Sequence, residues 1–305
     1  MRSVATCLLC GRPGPFAPLY GRAGYAMVRC PACRLVFQDP QPELADLADA
    51  YYFDSDFVDR LEGDLRPVVE ARAREKLDLL ERAAVPRRGR LLDVGCSTGA
   101  FLELAARAGW DATGVEIGDA PAAAARARGL EVHTGSLDDA ALEGRFDLIT
   151  FWDVLEHLPD PLDALRRARD LLAPGGLVAM AFPNVGGLYP RLTHRLLART
   201  TGVWEHPELP VHLFDFDTRT AALMVREAGL RVAAAHTLAI PWEFLRTTTL
   251  HGQLGHSRAR RMALMPVFSM LRALAYPLAA LTDRGNSQLV LASLEARAPA
   301  AIVPA

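Results

Sequence analysis

The fold of this chain is decided by the stretch from Arg90 to Glu116, which reads RLLDVGCSTGAFLELAARAGWDATGVE. Its first apolar run is typical of a buried parallel strand, and it stops at a loop from Gly95 to Gly99. Apolar residues then recur at helical spacing as far as Gly109, and a second apolar run ends at Glu116. This β-loop-α-β unit predicts a nucleotide-binding α/β fold in which the Glu116 carboxylate accepts hydrogen bonds from ribose hydroxyls.

The composition of the glycine loop limits which nucleotide it can bind. A dinucleotide fingerprint needs a central glycine that lets the backbone close on a pyrophosphate, and Ser97 stands there instead. The loop also lacks the Lys-Ser/Thr ending of a P-loop, and no Lys or Arg stands in it to neutralise phosphate. The loop therefore favours a ligand that has a ribose but no phosphate, and disfavours a nicotinamide dinucleotide.

The pattern Asp93-x-Gly95-x-x-x-Gly99, followed by Glu116, resembles motif I and the acidic second-strand tip of class I S-adenosylmethionine-dependent methyltransferases. In that family the loop passes under the amino-acid end of the cofactor and the acidic residue holds the ribose. The alternative is a strand-turn-helix that binds nothing. The resemblance implies S-adenosylmethionine as cofactor and, as its binding residues, Asp93, Gly95, Cys96, Gly99, Glu116, Ile117, Ser136, Leu137, Trp152 and Asp153, with Asp138 beside the adenine.

Strand and helix patterns alternate on both sides of this unit, which predicts a parallel sheet with helices on both faces. Together with the resemblance, they predict a doubly wound, mostly parallel sheet of seven strands. The closing strand, Gln288 to Leu294, is expected to run antiparallel beside a sixth strand from Leu230 to Ile240. The other predicted helices are 67–84, 121–128, 161–172 (ended by Pro174-Gly175-Gly176) and 218–229, and the other strands are 130–134, 146–152 and 177–182.

Four of the five cysteines lie near the start of the chain, as Cys7-x2-Cys10 and Cys30-x2-Cys33. Two such pairs can supply four thiolates in a tetrahedron around Zn²⁺. The segment between them is rich in Gly and Pro and could not bury a core alone, so metal binding would supply folding free energy. Two disulfides, or a ribbon that has lost its metal, are the alternatives. Four thiolates leave no open coordination position, so the zinc is expected to be structural.

The region after the cysteines combines an LVF strand, a Pro-rich turn and the aromatic pair Tyr51-Tyr52. With the zinc knuckles, this resembles a subgroup of bacterial methyltransferases that carry an N-terminal zinc ribbon. The resemblance implies that Tyr51 or Tyr52 lines the active site as part of a lid, and simple packing is the alternative. The expected domains are a zinc ribbon (1–40), a linker or lid (41–66), a methyltransferase domain (67–297, with an insertion at 241–286) and a tail (298–305).

The fourth predicted strand leads into the segment WDVLEHLPD, from Trp152 to Asp160, which resembles the segment that follows strand four in this family. His157 is the candidate general base, because an imidazole titrates near neutral pH and a hydroxyl must lose its proton as it is methylated. His212 is the second candidate, within an irregular segment expected from Asn184 to Leu213. The alternative for both histidines is a packing or loop-anchoring role.

Asp153, Glu156 and His157 also resemble an acidic-acidic-His arrangement associated with metal in quinone O-methyltransferases of the family. Two carboxylates suit Mg²⁺, whereas a histidine ligand favours a transition metal. This chain has Asp at the first position, where the family pattern has Glu.

Composition limits the partners and the location of this chain of 305 residues. The formal net charge is only -2, so no nucleic-acid partner is expected. No signal-peptide pattern is recognised, which favours a cytoplasmic protein. The apolar stretch from Met262 to Leu281 is interrupted by Pro266, Arg272 and Pro277; we expect packing there rather than a membrane span, with surface membrane contact possible.

Taken together, these patterns predict methyl transfer to a small-molecule acceptor, most simply O-methylation of a sugar, natural-product or quinone-like hydroxyl. Methylation at carbon or nitrogen stays open, as does a zinc-ribbon adaptor that only binds the cofactor. The sequence leaves the oligomeric state undetermined.

Overall fold

The computed structural model describes residues 1–22, 24–43, 55–83, 85, 89–204, 206–239 and 258–294. The predicted lid residues Tyr51 and Tyr52 lie outside these ranges, as does the predicted tail. So does much of the predicted insertion.

The described elements follow one another in this order. The first part has strands β1 (Ala17–Arg22), β2 (Tyr25–Arg29) and β3 (Val36–Gln38), then helices α1 (Ser55–Glu62) and α2 (Arg66–Arg82). The central part has β4 (Gly89–Val94), α3 (Ala100–Arg107), β5 (Trp110–Glu116), α4 (Asp119–Ala127), β6 (Glu131–Thr134), β7 (Phe146–Trp152), a 3₁₀ turn (Leu155–His157), α5 (Pro161–Leu171) and β8 (Leu172–Pro183). The last part has α6 (Leu188–Thr193), a π-helical turn (His194–Ala198), α7 (Arg199–Thr201), β9 (Phe214–Asp215), α8 (Thr218–Glu227), β10 (Arg231–Leu238), α9 (Arg258–Leu281) and β11 (Ser287–Ser293).

Seven strands form the main sheet, in the order β6-β5-β4-β7-β8-β11-β10. The strands from β6 to β8 are parallel to their neighbours, and β11 runs antiparallel to both β8 and β10. Leu92, on β4, pairs with Thr113 on one side and Ile149 on the other, and all three side chains are buried because helices cover both faces. The predicted doubly wound, mostly parallel sheet is confirmed.

Two local predictions were wrong. The strand β8 begins at Leu172 and continues through Pro174, because a pairing irregularity opposite Phe146 and Leu148 tolerates a residue with no N–H. The segment expected to be irregular is largely helical from 188 to 201, since Pro190 falls in the first turn of α6, where no intrahelical N–H bond is needed.

The cysteine-bearing segment does not stand apart from the main domain. Strand β3 pairs antiparallel with β9, Val36 opposite Asp215 and Phe37 opposite Phe214, which gives a second sheet in the order β1-β2-β3-β9. The Phe37 side chain is 1% exposed and belongs to the same apolar cluster as Leu92. The N-terminal ribbon therefore shares the core of the sheet, an arrangement the sequence did not predict.

Helix α9 packs one face against α6 and exposes the other. Phe268 and Ala275 are buried, and the buried Arg272 donates a hydrogen bond to the Tyr189 hydroxyl over 3.1 Å. Pro266 and Pro277 lie inside the helix without ending it; each proline removes only one backbone hydrogen bond, and the packed face holds the remaining turns. Among the described residues, the part from Met262 to Leu281 is long and apolar enough to cross a membrane by length and composition alone, and 22% of its most apolar window is buried.

Candidate functional site

The glycine loop lies at the carboxyl end of β4, where the fold places ligands. Gly95 and Gly99 both adopt positive φ angles, 73° and 82°. A Cβ on Gly95 would lie 2.5 Å from the side chain of Val154, and one on Gly99 would overlap that of Leu130. Only glycine fits either position, so the two residues that define the sequence motif are those the local packing requires.

The Glu116 carboxylate is fixed against this loop. One of its oxygens accepts a hydrogen bond from the backbone N–H of Ser97 and the other from that of Gly118, both over 2.8 Å. The side chain is 7% exposed, and burial raises its pKa. A carboxylate oxygen can accept two hydrogen bonds, so each retains capacity for a ribose hydroxyl. The structure brings the predicted loop and acidic residue together.

Asp93, the first residue of the predicted motif, is 2% exposed near the end of β4. It accepts a hydrogen bond from the Thr150 hydroxyl on the neighbouring strand over 2.6 Å. Burial raises the pKa of this carboxyl to about 7, an effect that the Thr150 hydrogen bond and the nearby Lys76 ammonium oppose. Because the pKa of this buried carboxyl lies near 7, a cationic ligand group bound beside it would favour the ionised form.

Lys76 is a site residue that sequence reasoning missed. Its Nζ lies 3.9 Å from a carboxylate oxygen of Asp153 and 5.6 Å from the centre of the Trp152 ring. Burial lowers its pKa, while the charges of Asp153 and Asp93 oppose that shift. The one sequence feature that could have indicated it is composition, because Lys76 is the only lysine among the 34 Lys and Arg residues. It brings an ammonium group from α2 to the carboxyl edge of the sheet.

The remaining predicted cofactor residues divide by where their side chains lie. Ile117 is 48% exposed just beyond β5, and Ser136 donates a hydrogen bond to Asp139 just beyond β6. Leu137 and Trp152 are buried beside the same edge. Cys96 is buried as well, and its thiol packs directly against Gly114, where a Cβ would lie 2.6 Å from the sulfur. The side chains around the loop are thus gathered at one edge, and their roles toward the cofactor stay predictions.

The two candidate bases, His157 and His212, lie side by side. Their rings meet edge to face with centres 4.8 Å apart. Nδ1 of His157 lies 3.0 Å from the Val211 carbonyl oxygen, which can only accept, so Nδ1 carries the proton and Nε2 the lone pair. Burial, with a smaller effect of His212, lowers the pKa of His157 to about 4. The imidazole is therefore neutral at physiological pH.

Carboxylates surround this pair. His212 is 5% exposed and lies 3.7 Å from an oxygen of Glu208 and 3.9 Å from one of Asp215. Glu156 is 1% exposed, and neither of its carboxylate oxygens has a hydrogen-bond partner among the described residues. Burial and the nearby Asp153 charge raise the pKa of Glu156 well above its usual value. These groups form one connected polar cluster inside the protein.

The predicted trio of Asp153, Glu156 and His157 does not assemble as such. The donor atoms that lie within 4.8 Å of one another belong to Glu156, His157 and His212. Asp153 occupies a left-handed bend, with φ 58°, and its carboxylate instead faces Lys76. The third member of the cluster comes from a segment more than fifty residues away in sequence, which no local motif could indicate.

The four N-terminal cysteines converge in the ribbon. Their Sγ atoms lie within 4.8 Å of one another, with Cys7 3.4 Å from Cys33 and Cys10 3.6 Å from Cys30. A disulfide needs about 2.0 Å between sulfurs, whereas thiolates at about 2.3 Å from one zinc ion lie near these separations from each other. The arrangement fits a tetrahedral metal site better than two disulfides.

Comparison with known proteins identifies the family. A family model described as a methyltransferase domain matches residues 68–235. The chain belongs to this family. It is 35% identical over 132 residues to the ubiquinone biosynthesis O-methyltransferase of Vibrio parahaemolyticus, covering 41% of this chain and 56% of the relative. It is 32% identical over 174 residues to the protein of the same name from Bordetella avium, covering 51% of this chain and 68% of the relative. The chain thus spans about half to two thirds of the length of these relatives.

Solved structures show the same fold. Magnesium protoporphyrin IX methyltransferase from Synechocystis is 14% identical, with a TM-score of 0.51 over 82% of this chain and 99% of that one. A SAM-dependent methyltransferase from Archaeoglobus fulgidus is 17% identical, with a TM-score of 0.50 over 78% and 99%. The predicted class I methyltransferase fold and family are confirmed.

Proposed function

We propose that this protein is an S-adenosylmethionine-dependent methyltransferase that methylates a hydroxyl group of a small molecule. The observation that carries the proposal is the Glu116 carboxylate held against a two-glycine loop without cationic side chains. This geometry suits a ribose and leaves no provision for a diphosphate. The names of the two relatives support O-methylation of a quinone-like acceptor, and a sugar or natural-product hydroxyl fits the same chemistry.

Different residues at the edge of the sheet would contact different parts of the cofactor. Glu116 would hold the ribose hydroxyls, and Ser136 and Leu137 would border the adenine. Lys76 and Asp93 would lie at the amino-acid end, where an ammonium and a carboxyl complement a zwitterion. When bound, S-adenosylmethionine supplies a methyl group on a sulfonium. The protein contributes mainly by holding the acceptor oxygen in line with that methyl group.

We assign His157 as the general base that accepts the proton of the acceptor hydroxyl. Nε2 of His157, which carries the lone pair, would take the hydroxyl proton while the oxygen is methylated. The hydrogen bond from Nδ1 to Val211 holds this tautomer, and His212 packs against the ring. A lowered pKa makes His157 a weak base. A weak base is sufficient, because the hydroxyl becomes strongly acidic as its oxygen is methylated.

The cluster of Glu156, His157 and His212 is also a donor set that a divalent transition ion accepts, because it offers one carboxylate and two neutral imidazoles. An ion there would polarise the acceptor hydroxyl in place of a base. Metal analysis separates the two mechanisms. One zinc per chain, lost with the cysteines, supports the metal-free base; a second equivalent lost in His212→Ala supports the ion.

Calorimetry with S-adenosylmethionine tests the proposal. We expect one binding site in the wild type and at least about tenfold weaker binding in Glu116→Ala, because the ribose loses its acceptor. Glu131→Ala, an exposed carboxylate at the start of β6, is the matched control and should bind normally. If the wild type has no affinity, or Glu116→Ala binds unchanged, the enzyme proposal fails. Binding without transfer to any acceptor would instead favour the adaptor alternative.

The role of His157 has its own test. His157→Gln should lower kcat by about 10²-fold or more, the range of general-base catalysis. Because its pKa is lowered to about 4, His157 should stay the free base from neutral pH down to about pH 5, so the ratio of kcat/KM between wild type and His157→Gln should stay constant over that range. His133→Gln, a half-buried histidine on β6, is the control. An unchanged rate in His157→Gln would assign the residue to packing. The expected cytoplasmic location stays a prediction of the sequence.

A further inference from the structure

A basic cleft of about 300 Å³ opens between the N-terminal ribbon and the helices that follow β8. Arg29 and Arg34 line it from the ribbon, and Arg191 and Arg195 line it from α6 and the π-helical turn. The buried Trp204 forms part of its wall. Neither the glycine loop nor the His157 cluster contributes a lining residue, so this is a separate site.

The four guanidinium groups of the cleft share one lining carboxylate, that of Asp217. None of them makes an ion pair or a side-chain hydrogen bond with any part of the chain that the structure describes. The single lining carboxylate, Asp217, already accepts the backbone N–H of Thr220 as the cap of α8. Arg29 is half-buried; burial and the neighbouring charges of Arg34 and Arg191 lower its pKa, and the charge of Asp217 opposes that shift. Converging like charges around a concave wall favour an anion.

Arg34 stands where the local backbone favours glycine. In each cysteine knuckle, the residue four positions after the first cysteine donates its N–H to that cysteine's carbonyl: Gly11 to Cys7, and Arg34 to Cys30. Both residues have positive φ, 65° for Gly11 and 72° for Arg34. A non-glycine residue costs folding free energy in this conformation. The Cys30 knuckle, which faces the cleft, thus has Arg34 at the position where the Cys7 knuckle has Gly11, the residue that suits a positive φ.

The cleft is adjacent to the place where methyl transfer would occur. Val185 and Gly186, in its wall, lie two and three residues after the end of β8, at the carboxyl edge of the sheet. The ring of Trp204 lies 5.7 Å from that of His206, whose Nε2 is 3.1 Å from Asp215. Asp215 in turn borders His212. The cleft and the histidine cluster therefore lie on two sides of one wall.

We infer that this cleft binds a phosphate or diphosphate ester group carried by the methyl acceptor. Arginine forks match phosphoryl oxygens in pairs, and four of them suit a group with more than one negative charge. The inference rests on the proposed function, since it identifies the anionic group as part of the acceptor. It assigns the ribbon a direct part in choosing the acceptor.

Calorimetry of the full chain with inorganic pyrophosphate tests the site without knowledge of the acceptor. We expect one pyrophosphate per chain and about tenfold or greater weakening in both Arg34→Gly and Arg191→Gln. Arg34→Gly should at the same time unfold at the same or a higher temperature, because glycine relieves the positive φ. Arg199→Gln, exposed on α7 outside the cleft, is the matched control and should bind as the wild type does. Absence of binding in the wild type, or equal weakening in all three variants, overturns the inference.

Titration with S-adenosylmethionine in parallel separates this inference from the proposed function. All three variants should bind the cofactor normally, because the arginines lie outside the glycine loop. If the wild type does not bind S-adenosylmethionine, the proposed function fails. The pyrophosphate titration would then still decide by itself whether the cleft is an anion site.

Two further probes distinguish the source of the phosphate ester. Uridine diphosphate represents a soluble acceptor, and vesicles of equimolar phosphatidylglycerol and phosphatidylcholine represent a lipid headgroup. Competition with pyrophosphate by uridine diphosphate supports a soluble acceptor, and Arg34-dependent vesicle binding supports a lipid one. If neither probe depends on Arg34 or Arg191, the assignment to an ester group is wrong.

Discussion

Lys76 carries the only ammonium side chain of the protein to the edge of the sheet, beside Asp153 and within electrostatic range of Asp93. A cation there reduces the repulsion between two carboxylates and offers a partner for an anionic ligand group. Its side chain is 23% exposed, so the charge is screened by solvent on one side only. At the scale of single residues, the electrostatics of the site thus depend on one cation, Lys76, and two carboxylates, Asp93 and Asp153.

Replacement of this cation should weaken cofactor binding. We expect Lys76→Met to bind S-adenosylmethionine about tenfold or more weakly, because an acidic pocket would then lack its counter-charge. Lys76→Arg should recover part of the affinity. Arg74→Met, which removes an exposed cation from the same helix, is the control. Equal calorimetric affinities of Lys76→Met and wild type would contradict a binding role.

Asp93 should make the stability of the cofactor-free protein depend on pH. Its pKa is about 7 when folded against 3.8 for an ordinary Asp, so the folded state binds the extra proton between these values. Stability therefore falls as pH rises through this window, by a few kcal/mol from Asp93. Urea unfolding of Asp93→Asn from pH 4 to 8 should show a flatter profile than wild type. Glu116 and Glu156, whose pKa values are also raised, contribute to the remaining slope with the same sign, and His157, whose pKa is lowered to about 4, contributes with the opposite sign.

The control for this measurement is Asp147→Asn, an exposed carboxylate at the other end of β7. It should leave the slope of the pH profile as in the wild type. A profile that is unchanged in Asp93→Asn would mean that the buried carboxyl titrates at its ordinary pKa.

At the scale of elements, the pairing of β3 with β9 joins the ribbon to the main sheet. Phe37 on β3 meets the ring of Phe214 on β9, 6.4 Å between centres, and both side chains are buried. The same two-residue strand β9 places Asp215 beside His206 and His212. One short strand therefore carries both the attachment of the ribbon and the wall of the histidine cluster.

Phe37→Ala should destabilise the entire protein rather than the ribbon alone. Loss of a fully buried aromatic side chain costs about 3–5 kcal/mol, and Phe37 belongs to the central apolar cluster. Denaturation followed separately by far-ultraviolet circular dichroism and by tryptophan fluorescence should show one coincident transition, shifted to lower denaturant. Leu196→Ala, 52% exposed on the π-helical turn, should shift it little. Two separate transitions would show that the ribbon folds independently.

At the scale of the whole molecule, one apolar cluster runs from the cysteine knuckles to the far helices of the sheet. It includes Cys30 and Leu35 of the ribbon together with Val178 of β8 and Met224 of α8. Metal binding and domain folding are coupled in such an arrangement, because each stabilises a surface against which the other packs.

Removal of the metal should therefore lower the stability of the methyltransferase domain. We expect about one zinc per chain in the purified protein, and a lower midpoint of thermal unfolding after chelation. Cys30→Ser should lose the zinc, whereas Cys96→Ser, which changes the cysteine behind the glycine loop, should retain it. Full zinc content in Cys30→Ser would rule out the four-thiolate site.

The sequence alone determined the features that short-range physics encodes. Buried strands read as apolar runs, and the two glycines of the loop are the residues that tolerate its positive φ angles. The separation of Glu116 from that loop follows from the length of one helix and one strand. The two cysteine pairs likewise reported a metal-type cluster, because each knuckle closes within a few residues. These signals sufficed for the fold and its family, and the cofactor-binding roles of the residues at the sheet edge stay predictions.

Only the tertiary structure decided which distant residues meet. Lys76 reaches Asp153, His212 replaces Asp153 beside Glu156 and His157, and β3 pairs with β9 across most of the chain. The arginine cleft likewise needs two segments that are more than 150 residues apart. Sequence periodicity reports which face of an element is buried, but not what packs against it. That choice follows from the burial of shared apolar surface and the pairing of backbone hydrogen bonds, and both exist only once the chain has folded.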